Sequence, residues 1–186
     1  MYEWNREATA RNLPVAALFS RPHLVVGVAF LAAYVLVDWV SYMSPIAPIG
    51  ITPWNPATGF SFALILLLGR EYIPWLFVAP FLVNTFVLAL PLPVSVHVIG
   101  ALIVGTGYGI AAGLLTLPNV GFDRTLSTKR SLVLLIAVAA ASTGLVGTTY
   151  VGLLVAMGLV APSDFTLLTA QLWIGDMIGV TVLTPF

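Results

Sequence analysis

From Leu24 to the last residue the chain reads as long apolar runs separated by short polar segments, and those segments hold nearly all of the charge. A helix crossing hydrocarbon about 30 Å thick needs roughly 20 residues. Six stretches meet or approach that length: residues 24–43, 56–72, 73–90, 94–116, one within 131–160, and 166–186. The second is barely long enough, and the fifth is long enough that it must tilt, kink or protrude. The pattern predicts an all-α fold, a polytopic transmembrane helix bundle of about six spans.

Composition strengthens that reading. Hydrophobic residues make up 60% of the 186 positions and charged residues only 8%, against roughly 25% charged in soluble domains. The formal net charge is zero, and no polybasic run advertises nucleic acid or an anionic-lipid anchor. With no cysteine there are no disulfides, thiolate metal sites or thiol catalysis, and two histidines make a poor metal-ligand set.

The basic residues set the orientation, because lysine and arginine flanking short loops stay in the cytoplasm. Arg6, Arg11 and Arg21 precede the first span, Arg70 lies between the second and third, and Arg124, Lys129 and Arg130 lie between the fourth and fifth. The opposite loops, 44–56, 91–93 and 161–165, hold no lysine or arginine. Both termini are expected in the cytoplasm, with residues 1–23 a cytoplasmic segment and 24–186 the membrane domain. Residues 1–23 mix acids and arginines ahead of any apolar core, which is unlike a signal peptide.

Between lipid-solvated helices, small residues supply contact by letting backbones approach. The fourth span carries Gly105, Gly109 and Gly113 at four-residue spacing, and the fifth carries Ala140, Gly144, Thr148, Gly152 and Ala156. These stripes imply bundle packing, or else a dimerisation face or a sliding surface. Spans one to three do not align with four to six, which argues against an inverted-repeat transporter.

Acids inside a membrane are costly and are expected to face the bundle interior beside a partner. Asp38 near the outer end of span one matches His97 in depth, and Asn84 in span three matches Asp176 in span six. These are two candidate polar layers, for ligand binding, signalling or structure. On the last helix Thr169, Trp173, Asp176 and Val180 share one face, while Gln171, Gly175 and Gly179 share another that admits a close neighbour. The loop "SPIAPIGITPWNPATG" carries Pro45, Pro48, Pro53 and Pro56 with Trp54 and no charge. It reads as dipping into the bundle. Asn55 and Pro56 suit an N-cap and first helical position, so span two starts below the outer surface. Its free N–H groups then favour a carboxylate such as Asp38, or an anionic ligand.

The segments "PWNPATGFSFALILLLGREYIPWLFVAPFLVN" and "WIGDMIGVTVLTPF" together resemble the membrane-associated sensor domain, type one, an integral-membrane sensory domain of bacterial signalling proteins. The matching positions are Trp54, Pro56, Gly59, Gly69, Arg70, Trp75, Asn84, Trp173, Gly175, Asp176, Gly179, Thr184 and Pro185. In two respects the chain departs from the family: it reads Trp-Asn-Pro-Ala-Thr-Gly where Trp-Pro-Pro is more usual, and it has about six spans rather than about eight. The resemblance implies a bacterial inner-membrane location, a following cytoplasmic signalling domain beyond Phe186, and Asp176 as a hallmark residue.

Three function classes follow. In the first, a sensory domain shifts helix packing to bias a cytoplasmic output. In the second, an accessory subunit of a membrane complex buries aromatic faces such as Phe77, Phe81 and Phe86 against other membrane proteins or a second copy. In the third, a small transporter uses Asp38, Asn84 and Asp176 along a path. Catalysis is not expected: Ser95, His97 and Asp38 form no nucleophile turn, and no phosphate loop or other cofactor signature is present.

Overall fold

A computed structural model describes residues 21–42, 51–52 and 54–185. Arg6, Arg11, most of the proline-rich loop and Phe186 lie outside the described residues. The regular elements are helical: α1 (Arg21–Ser41), α2 (Pro56–Leu68), α3 (Trp75–Leu82), α4 (Val94–Leu115), α5 (Lys129–Ala156) and α6 (Phe165–Leu183). A single 3₁₀ turn, Arg70–Tyr72, precedes α3, and a π-helical turn, Val83–Val87, continues it.

Four of these segments are long and apolar enough to cross a bilayer: α1, α4, α5, and α6 with the short turn before it. The expected second and third spans are shorter. α2 has 13 residues, about 20 Å of helix at 1.5 Å per residue. It stops at Gly69, whose φ of 119° is a backbone angle that glycine alone adopts cheaply. α5, with 28 residues, is about 42 Å long and exceeds the hydrocarbon thickness.

The brevity of α2 follows from where it begins. Its entry residue Asn55 donates its backbone N–H to the carbonyl of Gly175, 3.1 Å away, midway along α6. The other half of α6 is covered by Ile51 from the proline-rich loop, fully buried in a cluster with Val96, Tyr150, Val151, Leu154, Leu168 and Leu172. Ile51 and α2 thus cover successive parts of α6.

α2 is the most enclosed helix, with nine residues buried, and it packs most extensively on α6. α6 also packs on α5, α5 on α4, and α4 on α3, while α1 lies against α2 and α3. α1 buries only Gly27, Phe30 and Tyr34, a single stripe, so it is peripheral. The glycine rows of α4 and α5 are used within this bundle. Gly105 faces Phe77, Gly109 faces Ile73 and Gly113 faces the aliphatic part of Arg70, so the α4 row seats α3 and the turn before it. On α5, Gly144 faces Trp173 and Gly152 faces Phe165, so this row seats α6. The closest approach is between α2 and α6: a methyl group on Gly59 would strike the Gly179 carbonyl, and one on Gly179 would strike the Asn55 carbonyl.

The start of α1, the α2–α3 turn and the end of α4 meet at one end of the bundle. His23 stacks on Tyr72 with ring centroids 5.4 Å apart, and Arg70 lies against Gly113. The α4–α5 connection that follows is tightly bonded. Asp123 accepts from the backbone N–H and hydroxyl of Thr125 and from the backbone N–H and hydroxyl of Ser127. Thr128 caps α5 by accepting from the Ser131 N–H, and Arg130 donates to the carbonyls of Val120 and Gly121. The Ser127 and Thr125 bonds hold the Asp123 carboxyl down at about 2.

Two outcomes are expected. Gly179→Ala drives a methyl group into backbone and costs about 1–3 kcal/mol, whereas Gly152→Ala, with its nearest foreign atom 3.9 Å away, is neutral or stabilising by up to about 1 kcal/mol. Thermal melting of the two variants side by side checks this. The order that Asp123 confers on its loop, resting on a depressed carboxyl, is fully present above about pH 4 and is lost as pH falls through about 2. Protection of the Thr125 and Ser127 amides, corrected for intrinsic exchange, should fall over that window in the native protein and be low throughout in Asp123→Ala.

Candidate functional site

Asp176 sits in the middle of α6 and is fully buried. Its Oδ1 accepts from Asn55 Nδ2 at 2.7 Å and from the Thr58 hydroxyl at 2.8 Å, and its Oδ2 accepts from the Tyr108 phenol. The sequence supplies these partners by simple local rules. Pro56, locked near helical φ and lacking an N–H, occupies the first position of α2, which places Asn55 just outside the helix and Thr58 in its first turn. Tyr108 is flanked on α4 by Gly107 and Gly109, which lie against Val146 and Ile73. Three hydrogen-bonding groups converge on the two oxygens of Asp176 and stand in for the water a carboxyl loses on burial. The positive end of the α2 dipole adds to its stabilisation. Among the described residues no lysine, arginine or histidine bonds to it.

Beside Asp176 lies a cavity of about 60 Å³, room for a few water molecules when each needs about 10–15 Å³ of such volume. α1 contributes Tyr34 and Asp38 to its wall, and α5 contributes Tyr150. Asn84 reaches it from the π-helical turn after α3, and such turns often occur at functional positions. Two carboxylates, two carboxamides and three phenols thus line one small space in an otherwise apolar core.

The structure therefore brings Asp38, Asn84 and Asp176 to one cavity. It does not pair Asp38 with His97. The ring Nδ1 of His97 is hydrogen-bonded to the Thr85 hydroxyl at 2.9 Å, and its Nε2 is enclosed without a partner. Matching depth was a poor guide here because the chain already offers His97 a hydroxyl from the turn after α3. The carboxylate at the start of α2 is Asp176, not Asp38, and Asn55 spends its side chain on that acid rather than on capping the helix.

Trp54 is exposed, and its carbonyl accepts from the Thr52 hydroxyl. Trp173 turns away from Asp176 and donates its Nε1–H to the Ala140 carbonyl at 3.0 Å, tying α6 to α5. Gly175 and Gly179 are buried against the start of α2. The donors Thr58 and Tyr108, and the cavity-lining Tyr34 and Tyr150, carry no motif in the sequence. One signal was available: Tyr108 is a lone phenol in an apolar span, and a buried phenol asks for an acceptor.

The model of the family described as MASE1, membrane-associated sensor domain 1, matches residues 23–186. No curated protein and no solved structure matches the chain. The match covers all but the first two residues of α1, every later element and the Asp176 site, and the chain belongs to the MASE1 family of membrane sensor domains.

Proposed function

We propose that this domain is the signal-input part of a bacterial inner-membrane signalling protein, crossing the bilayer six times with both termini in the cytoplasm and passing its state to a cytoplasmic output domain. Membership of a membrane sensor family supports the sensory reading. The orientation is supported by the charges: Arg21, Arg70, Arg124, Lys129 and Arg130 flank the segments that meet at one end of the bundle, the pattern of a cytoplasmic face. Residues 1–23 then lie in the cytoplasm, and α2 and α3 complete their crossings with the adjoining turns and loops.

One observation carries the mechanism. Asp176 of α6 is held by groups from two other elements, Asn55 and Thr58 at the start of α2 and Tyr108 of α4, beside a cavity that also admits Asp38 of α1. An occupant or a charge change in that cavity alters the competition for these donors. It thereby alters how α6 sits against its neighbours, and α6 leads to the C-terminal, cytoplasmic side. Only a differential interaction with two packing states can shift their populations, and this hydrogen-bonded centre provides one.

In the full signalling protein, Asp176→Asn keeps the volume but loses the charge and part of the acceptor capacity. Output should change by about 5-fold or more, the lower end of typical coupling energies, with membrane abundance close to wild type. Tyr108→Phe, which removes one donor and keeps the ring, should shift output the same way by less. Output activity measured against quantified protein in the membrane decides it. Unchanged output at normal abundance in both variants, or Asp176→Asn protein that never accumulates, would reduce Asp176 to a structural residue.

A further inference from the structure

We infer that the cavity beside Asp176 is a binding site for a small protonated primary amine. This deepens the sensory reading by naming the chemical class of the stimulus, and it rests on that reading only for the consequence of binding.

Tyr34, Tyr150 and Asn84 bring donors as well as acceptors to the cavity, while the Asp38 carboxylate and the Asn55 Oδ1 only accept. Asp176 already receives three donors. Asn55 gives its Nδ2 to Asp176, which leaves its Oδ1 enclosed with no partner. No side chain among the described residues bonds the Asp38 carboxylate, although it lies on the cavity wall. Groups that only accept take a donor, and an ammonium group offers three N–H bonds with nothing to accept.

Charge points the same way. The lining includes Asp38 and Asp176 and no lysine, arginine or histidine. Negative charge without a counter-charge inside a membrane is expensive, and a cation between the two carboxylates offsets it.

The remaining wall selects an organic cation over a metal ion. Tyr34, Tyr108 and Tyr150 supply aromatic surface, and Val104, Val146 and Leu172 supply aliphatic surface. Together they suit the alkyl body of an amine and the attraction of ammonium to ring faces. Among the described residues no cluster of three or more His, Cys, Asp or Glu is placed to hold a metal. A primary amine, with a pKa near that of lysine at about 10.4, is cationic at neutral pH.

The test uses the whole chain in lipid nanodiscs and follows its melting temperature against methylammonium and n-propylammonium chloride. The uncharged isostere 1-propanol, and NaCl and KCl at equal ionic strength, serve as comparisons. The expected result is a saturable upward shift of Tm with the alkylammonium ions alone, growing from methyl to propyl. Asp38→Asn should raise the half-saturating concentration by about tenfold or more, the loss of one charge-assisted bond. Val104→Phe, which fills the cavity from an apolar wall, should abolish the shift. The melting temperature of each unliganded variant reports its folding. Absence of any ammonium-specific shift in the wild-type chain overturns the assignment. So does an equal response to 1-propanol, which would mark a merely apolar cavity, or to Na⁺ or K⁺, which would mark an inorganic cation site. Undiminished binding by Asp38→Asn also overturns it. Because binding is read without any output, failure here leaves the sensory reading to the output measurements on Asp176→Asn and Tyr108→Phe.

Discussion

A carboxylate in the middle of a membrane-spanning helix is the constraint on which the rest of this bundle depends. By insertion scales such a group costs about 2.5–3.5 kcal/mol at the bilayer centre, and it is tolerated where protein donors replace water. Asp176 receives three, from Asn55, Thr58 and Tyr108. Because two of these come from the start of α2, that start must lie at the level of Gly175 rather than at the membrane surface. α2 is consequently short, and Ile51, four residues before its entry residue, is buried against Leu168 and Leu172 of α6 beyond it. The approach leaves no room for a Cβ, hence glycine at 59 and 179.

The same centre accounts for the irregularities of α3. Pro80 sits inside that helix and lines the cavity, and the π-helical turn after it carries Asn84 to the same wall. Ala89, at φ 45°, ends the turn, with the Leu90 N–H returning to the Asn84 carbonyl at 3.0 Å. Such a departure from α-helical hydrogen bonding inside a membrane protein is viable where the backbone is covered by protein. Here α1 and α4 pack against the turn, with Val83 buried and Asn84 on the cavity wall, while Phe86 and Val87 point outward.

Hydropathy alone located most of the helices, because a bilayer imposes a length on any apolar segment that crosses it. The expected 94–116 and the observed Val94–Leu115 differ by one residue. The paired short elements between 56 and 90 were less legible. Their lengths are set by a hydrogen-bonded centre and a left-handed Gly69, and neither registers in an average over a window. Depth along a span is a partial guide: Asn84 and Asp176, at matching depth, line one cavity, but so does Asp38 from nearer the outer end. Depth defines a layer and not a neighbour, however, so Asp38 was matched to His97, whose Nδ1 is engaged by Thr85. Thr58 and Tyr108, which hold the acid, look like ordinary members of apolar helices until their helices are packed. The Asp123 turn escaped for a similar reason, since its order lies in bonds between polar residues of a short connection.

The distribution of bonds around α6 suggests how a change at the cavity could travel. α2 and α6 run in parallel and are joined at successive levels: Asn55 N–H to the Gly175 carbonyl, Asn55 and Thr58 to Asp176, and the Thr184 hydroxyl to the Gly59 carbonyl at 3.2 Å. Their backbones are in contact between Gly59 and Gly179. Separating such a pair exposes backbone and strips Asp176 of two of its donors. Its links to the neighbouring helices are sparser. Among the described residues the side-chain hydrogen bonds from this pair to α4 and α5 are the Tyr108 phenol to Asp176 and the Trp173 indole to the Ala140 carbonyl. The α5 face that receives α6 is a row of small residues, with Gly144 and Gly152 in ordinary contact rather than locked against backbone. A seam bridged by these two side-chain bonds therefore runs between the α2–α6 pair and the α4–α5 pair. The cavity spans that seam, with Thr58 and Asp176 on one side and Tyr108 and Tyr150 on the other. The walls of the cavity thus belong to both helix pairs at once, so its packing and theirs are set together.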